Sequence, residues 1–374
     1  MNIGRIKLQK IMQVIIRTDA SLEIGTGHVM RCLTLAYALQ EKGAKVSFIC
    51  RQHQGNLIEF IESKGYHVEQ LPFNKNKLSD RTLFHSHWLG VTQKEDSLAC
   101  KLILQKNNPD WLIVDHYALD IRWEKPLEPY YKKLMAIDDL ADRQHQCDLL
   151  LDQNYYGNMD SRYSKLLNTQ CKKLLSPKYS LLRKEFLDTR NNIRKRSGTI
   201  TRILIFFSGS DPTNETTKAL EAIKLLNNDK ISIDVVVGLS NPFKDKVKKL
   251  CNELSNVNYH CQISNISEIM LKADLAIGAG GSTTWERCCL GLPSILVILS
   301  KNQELLTTEL AETNAIINLG WADKVTPMIY KQTILNLTAS KLIDMSEISM
   351  QLVDKKGIIR VVDAVLKMSI KINE

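Results

Sequence analysis

The chain has 374 residues, of which 44% are hydrophobic and 24% are charged, and this composition is typical of a globular protein with two domains of ordinary size. The net charge is +9, but the basic residues are spread along the chain and only 6% of residues are aromatic, which argues against a nucleic-acid-binding protein. A basic solvated surface or an anionic small substrate explains the surplus of positive charge instead. Nine cysteines show no metal-ligand spacing, and no apolar run has transmembrane length. We therefore expect a cytoplasmic monomer with reduced thiols, without metal, cofactor, membrane or nucleic acid.

The first predicted strand–helix unit carries a glycine-rich turn. An apolar run at 12–16 predicts a buried strand, and a helical pattern follows from His28 until Gly43. Unpaired N–H groups at the helix start, with glycines at 25 and 27, suit a negatively charged ligand. The His28 imidazole can take a proton from water. A capping turn whose histidine merely packs explains the local pattern equally well. Met30 stands where the dinucleotide fingerprint needs glycine.

Three further predicted strands of the first half each end in polar residues. The strand at 111–114 precedes Asp115-His116-Tyr117, the strand at 134–137 precedes Asp138-Asp139, and the strand at 148–151 precedes Asp152-Gln153-Asn154. In an open parallel sheet, ligands bind at the edge formed by the carboxyl ends of the strands. Single carboxylates at strand ends are also common helix caps, so only the set as a whole indicates a site.

The polar, basic and aperiodic stretch at 187–198 predicts a linker, after which the strand–helix pattern begins again. We accordingly predict an N-terminal domain at 1–186, a linker at 187–200 and a C-terminal domain at 201–374. In the second half, a strand at 202–207 leads into a small-residue loop with Gly209 and Ser210. Beyond position 304 the remainder is expected to be helical.

A second glycine-rich turn, Gly278 to Thr284, follows a predicted strand at 275–277. Its glycines allow close approach and its hydroxyls lie at a helix start, which suits a phosphate, although the ending of a P-loop is missing. Glu286 is expected one helical turn further on, where it would reach ribose hydroxyls; a carboxylate that complements the helix dipole is the alternative. Asn302 and Gln303 follow the next strand and are expected at the same site.

Two Rossmann-like halves with these turns resemble the GT-B glycosyltransferase architecture, an α/β fold in which two such domains face a cleft. More specifically, an ordered set of segments is similar to the UDP-sugar hydrolase of pseudaminic acid biosynthesis. The segments are Arg17-Thr18-Asp19, Ile24-Gly25-Thr26-Gly27-His28 with Arg31-Cys32-Leu33, Ile113 to Tyr117, Ile137-Asp138-Asp139, Cys147 to Asn154 and Lys301-Asn302-Gln303-Glu304.

The resemblance implies hydrolysis of UDP-2,4-diacetamido-2,4,6-trideoxy-β-L-altropyranose to UDP and free sugar, with inversion and without metal, on a route to flagellin or surface glycans. It implies His28 as general base, with either Asp19 or Asp115 holding its tautomer. The residues expected at the substrate are Arg17, Asp19, Gly27, Tyr117, Asn302 and Gln303, and those expected at UDP are Gly209, Ser210, Gly280, Gly281, Ser282, Thr283 and Glu286. A GT-B glycosyltransferase that uses a UDP-sugar donor and a non-catalytic nucleotide-sugar-binding protein are the alternatives.

Overall fold

A computed structural model describes residues 11–73, 80–209 and 211–370, which form two compact units. The first unit comprises the chain up to residue 152 together with 160–174 and the chain from 359 onward; the second comprises 153–159 and 175–358. Both are α/β units built on sheets of parallel strands, as the sequence predicts. None of the helices in these described ranges has the length and apolar character that crossing a bilayer requires.

The first unit holds a seven-stranded sheet with the order β3-β2-β1-β4-β5-β6-β7. Its strands are β1 Gln13–Thr18, β2 Lys45–Arg51, β3 His67–Leu71, β4 Trp111–Asp115, β5 Lys133–Ile137, β6 Leu149–Asp152 and β7 Lys172–Leu175. Every residue of β4 is buried, which is the pattern of a parallel strand covered on both faces. Because the strand order reverses between β1 and β4, the fold has a ligand-binding switch point there.

Helices connect the strands of this part of the chain, because parallel neighbours need a crossover connection. They are α1 Gly27–Gln40, α2 Ile58–Ser63, α3 Gln93–Asn107, α4 Ile121–Glu124 and α5 Met159–Arg162, with 3₁₀ turns at Ser86–Leu89 and Lys125–Tyr130. Helix α1 follows β1, so its first turn lies at the switch point. The segment 74–89 is polar and has no regular hydrophobic pattern, which predicts an irregular loop, and it is described only from residue 80 onward.

The second unit has a six-stranded sheet with the order β10-β9-β8-β11-β12-β13, and its order reverses between β8 and β11. The strands are β8 Arg202–Phe206, β9 Ser232–Val237, β10 Val257–Cys261, β11 Leu275–Ala279, β12 Ser294–Ile298 and β13 Ile316–Trp321. The remaining helices of the chain are α6 Lys184–Arg190, α7 Glu215–Leu226, α8 Lys244–Asn252, α9 Ile266–Lys272, α10 Thr283–Cys289, α11 Lys301–Glu312, α12 Pro327–Leu335, α13 Ala339–Leu352 and α14 Gly357–Ile370.

The domain boundaries differ from the predicted ones. The chain passes from the first unit to the second between 153 and 175, and residues from 359 onward return to the first unit. The predicted linker at 187–200 begins inside α6, and its basic residues serve the second unit. The Nε of Arg196, which is 5% exposed, donates to the carbonyl of Gly291 at 2.7 Å. Arg194 pairs with Asp274. A sequence does not distinguish basic side chains that donate to main-chain carbonyls from basic side chains in solvent, so this stretch resembled a linker.

The expectation of an all-helical remainder after position 304 is wrong, because Ile316–Trp321 forms β13. This strand pairs with β12, with a register shift between Leu296 and Ile298. It is an edge strand, and five of its six residues are only half-buried. It therefore lacks the continuous buried apolar run that marks the central strands. The sequence pattern also missed the edge strand β7, because this strand is largely exposed and has no continuous apolar run.

Candidate active site

The first site element is the turn that precedes α1. Gly25 adopts a left-handed φ of 78°, and its N–H donates to the carbonyl of Ser21 at 2.9 Å. The Oγ of Ser21 accepts from the N–H of Ile24 at 2.9 Å. This closed turn places His28 in the first turn of α1, where the imidazole is buried with 7% of its surface exposed.

His28 is held by Asp115, the last residue of β4. Its Nδ1 lies 2.6 Å from Oδ1 of Asp115. Arg31, one turn further along α1, donates its Nε to Oδ2 and its Nη2 to Oδ1 of the same carboxylate, each at 2.6 Å. Burial raises the pKa of Asp115, but the charges of Arg31 and His28 outweigh burial and hold that pKa well below its ordinary value. Asp115 is therefore a carboxylate, which can only accept hydrogen bonds.

The ionised carboxylate decides the tautomer of His28. The Nη2 of Arg31 also lies 3.3 Å from Nδ1 of His28, but the closer Asp115 contact requires a proton on Nδ1. In the neutral imidazole the lone pair is then on Nε2, and no hydrogen bond to Nε2 is present in the described part of the chain. The arrangement leaves one basic nitrogen available to a bound molecule.

The ring of Tyr117 packs against the His28 imidazole. Its ring meets the His28 imidazole edge-on with centroids 4.5 Å apart. Its hydroxyl donates to Oδ1 of Asp139, just after β5, and Arg31 donates Nη1 to Oδ2 of Asp139 at 3.0 Å. Burial and the Asp139 charge raise the pKa of Tyr117 well above its ordinary value, so the phenol stays neutral. The sequence prediction that brought His28, Tyr117 and the strand-end carboxylates to one sheet edge agrees with these contacts.

The side chains of Arg17 and Asp19 are fully buried and not accessible to a ligand. Both side chains are 0% exposed and form a 2.7 Å ion pair with each other. Arg17 also donates Nη2 to Oδ2 of Asp96 at 2.8 Å, and Asp19 accepts from the N–H of Arg51 at 2.6 Å. Their expected substrate contacts therefore need correction: no surface of either side chain is open in this conformation. We assign them a positioning role at the end of β1, and between Asp19 and Asp115 the geometry selects Asp115 as the partner of His28.

In the second unit, the glycine-rich turn links β11 to α10. A Cβ at Gly280 would lie 2.1 Å from Oγ1 of the Thr307 side chain, whereas Gly281 has a φ of 143°, which favours glycine because of the backbone conformation itself. Gly278 pairs with Phe206, which places the turn beside the loop that follows β8 and contains Gly209. Ser282 is the N-cap of α10 without a side-chain capping bond, and Thr283 is its first residue. Ser210 lies outside the described residues.

Asn302 and Gln303 lie at the start of α11, where each makes a local hydrogen bond. Oδ1 of Asn302 accepts from Oγ of Ser300 at 2.5 Å, and Oε1 of Gln303 accepts from the N–H of Leu299 at 3.0 Å. The Nε2 of Gln303 lies 3.9 Å from the place of a Cβ on Gly281, so the glycine turn and Gln303 share one edge of the sheet. Their contacts with a substrate stay predictions.

Glu286 lies one helical turn into α10, as expected, and its side chain forms an ion pair within the second unit. Its Oε1 accepts from Nε of Arg183 at 2.8 Å, and its side chain is largely buried. Its Oε2 is buried without a hydrogen-bond partner. A ribose contact at Glu286 would have to use an oxygen that is enclosed in this conformation, because the carboxylate already serves an ion pair within the second unit.

The sequence assigns no role to Arg31, Asp139 and Trp88. For His85 and His87 it favours solvated loop histidines over a metal site, but the side chain of His85 is buried. Arg31 and Asp139 stand in the quoted motifs, and their position after a helix start or a strand end was the available signal. His85 and Trp88 lie in an aperiodic segment, which gives no sequence signal for their contact with Tyr117. Within the residues that the structure describes, no group of three His, Cys, Asp or Glu side chains is arranged to hold a metal ion.

A family model matches most of the second unit. Residues 203–360 match the model described as the glycosyltransferase family 28 C-terminal domain. The matched range runs from the second residue of β8 through β13 and includes both glycine-bearing loops of the predicted UDP site.

Relatives extend the similarity to the first unit. The chain is 28% identical over 301 residues to the uncharacterized protein MJ1062 of Methanocaldococcus jannaschii, covering 78% of this chain and 56% of that protein. It is 27% identical over 302 residues to the UDP-2,4-diacetamido-2,4,6-trideoxy-beta-L-altropyranose hydrolase of Campylobacter jejuni, covering 80% of this chain and 97% of that protein. The resemblance drawn from the motifs is thereby confirmed.

Among solved structures, MurG of Acinetobacter baumannii is similar to this chain with a TM-score of 0.66 at 14% identity, over 95% of this chain and 99% of that one. A likeness at this identity establishes the fold and leaves the reaction open. The predicted GT-B class of two parallel α/β domains is confirmed.

Proposed function

We propose that this protein hydrolyses UDP-2,4-diacetamido-2,4,6-trideoxy-β-L-altropyranose to UDP and the free sugar in pseudaminic acid biosynthesis. Water attacks the anomeric carbon with inversion. The observation that carries the proposal is the His28–Asp115 pair at 2.6 Å, which leaves Nε2 of His28 as a base beside the ring of Tyr117. The similarity to the Campylobacter jejuni hydrolase supports the choice of substrate.

His28 takes the proton from the attacking water through Nε2. The imidazolium that forms is stabilised by the ionised Asp115, which accepts a hydrogen bond from the Nδ1–H of His28 and does not take its proton. Arg31 fixes both oxygens of this carboxylate, so the carboxylate cannot rotate away when the imidazole becomes charged. This arrangement gives the imidazole a fixed orientation.

UDP departs with its own negative charge, so no general acid is required. In the proposal, backbone N–H groups of Gly281, Ser282 and Thr283 donate to the phosphates, and the loop at Gly209 lies beside them on the same sheet edge. These donors take the place of a cation, and turnover is expected to persist in excess EDTA. Loss of turnover that Mg²⁺ or Mn²⁺ restores would contradict this part of the proposal.

A glycosyltransferase is the second candidate, favoured by the family 28 domain at 203–360 and by the fold of MurG. Donor binding is common to both candidates, but only the hydrolase releases UDP rapidly in water without an acceptor. We would follow the UDP-sugar by NMR over time with no acceptor present. Rapid appearance of UDP and free sugar supports hydrolysis, whereas turnover only after acceptor addition supports transfer.

The matched variant for this assay is His28→Asn, which keeps a polar side chain of similar size but removes the base. Turnover is expected to fall by about 10²–10⁴-fold, while UDP affinity measured by calorimetry stays close to that of the wild type. Near-wild-type turnover in this variant would remove His28 from the mechanism. UDP binding without turnover in the wild type would instead favour a non-catalytic nucleotide-sugar-binding protein.

A further inference from the structure

The chain from His85 to Leu89 brings two aromatic side chains onto the proposed catalytic pocket. The Trp88 ring stacks on Tyr117 with centroids 5.6 Å apart and meets His28 edge-on at 6.2 Å. The His85 ring lies 4.2 Å from Trp88 and 5.3 Å from Tyr117. We call His85 and Trp88 the aromatic wall. Both side chains reach the face of Tyr117, whose edge contacts the proposed base.

The aromatic wall is held in place by its own turn. Oγ of Ser86 accepts from the N–H of Leu83 at 2.8 Å, and Ser86–Leu89 forms a 3₁₀ turn. Gly90 ends this turn with a left-handed φ of 71°, which glycine adopts without strain. Trp88 is half-buried, so part of its indole surface is open. A fixed ring with one open face is suited to contact a ligand.

His85 is the less expected member of the wall. Its side chain is 6% exposed, yet Nδ1 is buried without a hydrogen-bond partner. Burial, followed by the charges of His87, Arg143, His28 and His116, lowers the pKa of His85 to about 4. The imidazole is therefore neutral near pH 7 and offers one donor and one acceptor. Buried polar atoms are normally satisfied, so an unpaired one beside a ligand pocket indicates a missing partner.

We propose that the aromatic wall recognises the sugar of the substrate: Trp88 contacts its apolar substituents and His85 hydrogen-bonds an acylamino group. A secondary amide can pair with a neutral imidazole in one of two ways: its N–H donates to the acceptor nitrogen, or its C=O accepts from the ring N–H. Methyl groups on a deoxy carbon and on an acyl group suit the open indole face. The ligand class is thus an N-acylated deoxyhexose. This inference rests on the proposed function, because that proposal locates the sugar beside His28.

The test compares two UDP-sugars that differ only in having acetamido groups or hydroxyls at the same carbons. In His85→Ala, kcat/KM for the diacetamido sugar should fall by about tenfold or more, the loss expected for one hydrogen bond. The kcat/KM for the hydroxyl analogue should change little, so the ratio of the two kcat/KM values should fall. His85→Gln, which keeps a donor and an acceptor, should recover part of it. Equal losses for both sugars, or no loss, would overturn the assignment.

His87 supplies the matched control. It lies on the same turn, is half exposed and pairs with Glu23 at 2.8 Å outside the wall. His87→Ala should leave both kcat/KM values unchanged, and calorimetry should give the same UDP affinity in every variant. Thermal unfolding of each variant shows whether the turn remains folded. A loss of discrimination in His87→Ala as large as that in His85→Ala would assign the effect to the turn as a whole and overturn a specific role for His85.

A binding readout separates this inference from the proposed hydrolysis. Saturation-transfer NMR with the diacetamido UDP-sugar on His28→Asn should show strong transfer to the acetyl and C6 methyl protons. In the double variant with Trp88→Ala these signals should weaken, while the uracil signals remain. That pattern without turnover in the wild type would retain the inference and reject hydrolysis. Turnover in the wild type, together with methyl signals that Trp88→Ala leaves unchanged, would retain hydrolysis and reject the role of Trp88.

Discussion

Nδ1 of His28 lies 2.6 Å from Oδ1 of Asp115, and this contact joins the first turn of α1 to the end of β4 across the switch point of the sheet. The two residues are separated by 87 positions in the chain. Their contact depends on the parallel pairing of β1 with β4, in which Thr18 is the partner of Asp115. The fold thus supplies the orientation that the proposed base needs.

Asp115→Asn is expected to lower turnover by about 10²–10⁴-fold, since the neutral amide cannot stabilise the imidazolium and permits the other tautomer. Calorimetry should show UDP affinity close to that of the wild type, because the change lies in the first unit. Asp148→Asn is the matched control, as Asp148 precedes β6 and pairs with Lys133 away from His28. Full activity in Asp115→Asn would disprove the role of this carboxylate.

A second prediction concerns the buried carboxylate of Asp96, which accepts from Arg17 and Arg51 at 2.8 and 2.6 Å. Asp96→Asn removes the charge partner of Arg51 and leaves Arg17 with Asp19 alone, so it should cost about 3–5 kcal/mol of unfolding free energy at pH 7. Urea unfolding measures the loss. A cost below about 1 kcal/mol would mean that the network contributes little.

The stability difference between the wild type and Asp96→Asn is expected to depend on pH. Burial raises the pKa of Asp96, but Arg17 and Arg51 outweigh burial and lower it from 3.8 to about 2. The depressed folded-state pKa contributes stability above pH 3.8, and that contribution is lost as the pH falls through about 2. The stability difference between the wild type and Asp96→Asn should therefore narrow as the pH falls from 5 towards 2.5. A constant difference would contradict the assignment.

A third prediction separates the two glycine loops of the second unit. An added Cβ at Gly280 would lie 2.1 Å from Oγ1 of Thr307, whereas one at Gly209 meets no atom within 4 Å. Gly280→Ala should therefore cost about 1–3 kcal/mol of stability through overpacking, and Thr307→Ala in the same chain should recover part of it. Gly209→Ala should leave stability unchanged and weaken only UDP binding. Equal unfolding midpoints for the two single variants would contradict this difference.

The sequence predicted those parts of the fold and site that local pattern determines. The central strands are continuous apolar runs, and β4 is buried along its whole length, so it was predictable. The choice between Asp19 and Asp115 was not, because both follow strands and only the ion pair with Arg17 removes Asp19. The aperiodic segment around Trp88 gives no indication that its ring stacks on Tyr117. The boundary between the units depends on long-range contacts such as that of Arg196 with Gly291.

The last prediction identifies the bond that breaks. In the proposed mechanism Nε2 of His28 activates water for attack on the anomeric carbon, while the backbone donors at Gly281 and Thr283 stabilise departing UDP. Attack at phosphorus would leave the sugar oxygen on the sugar and add the water oxygen to the phosphate. Hydrolysis in ¹⁸O-labelled water, with both products analysed by mass spectrometry, distinguishes the two routes.

Label is expected in the sugar and is expected to be absent from UDP. The incubation must be short, because the free sugar exchanges its anomeric oxygen with water through ring opening. Unlabelled sugar incubated alone in the same water for the same time measures that exchange and is the control. The UDP product gives the independent answer, since its phosphate oxygens do not exchange on this timescale. Label in the UDP phosphate would place the attack at phosphorus, and the base role proposed for His28 would have to be abandoned.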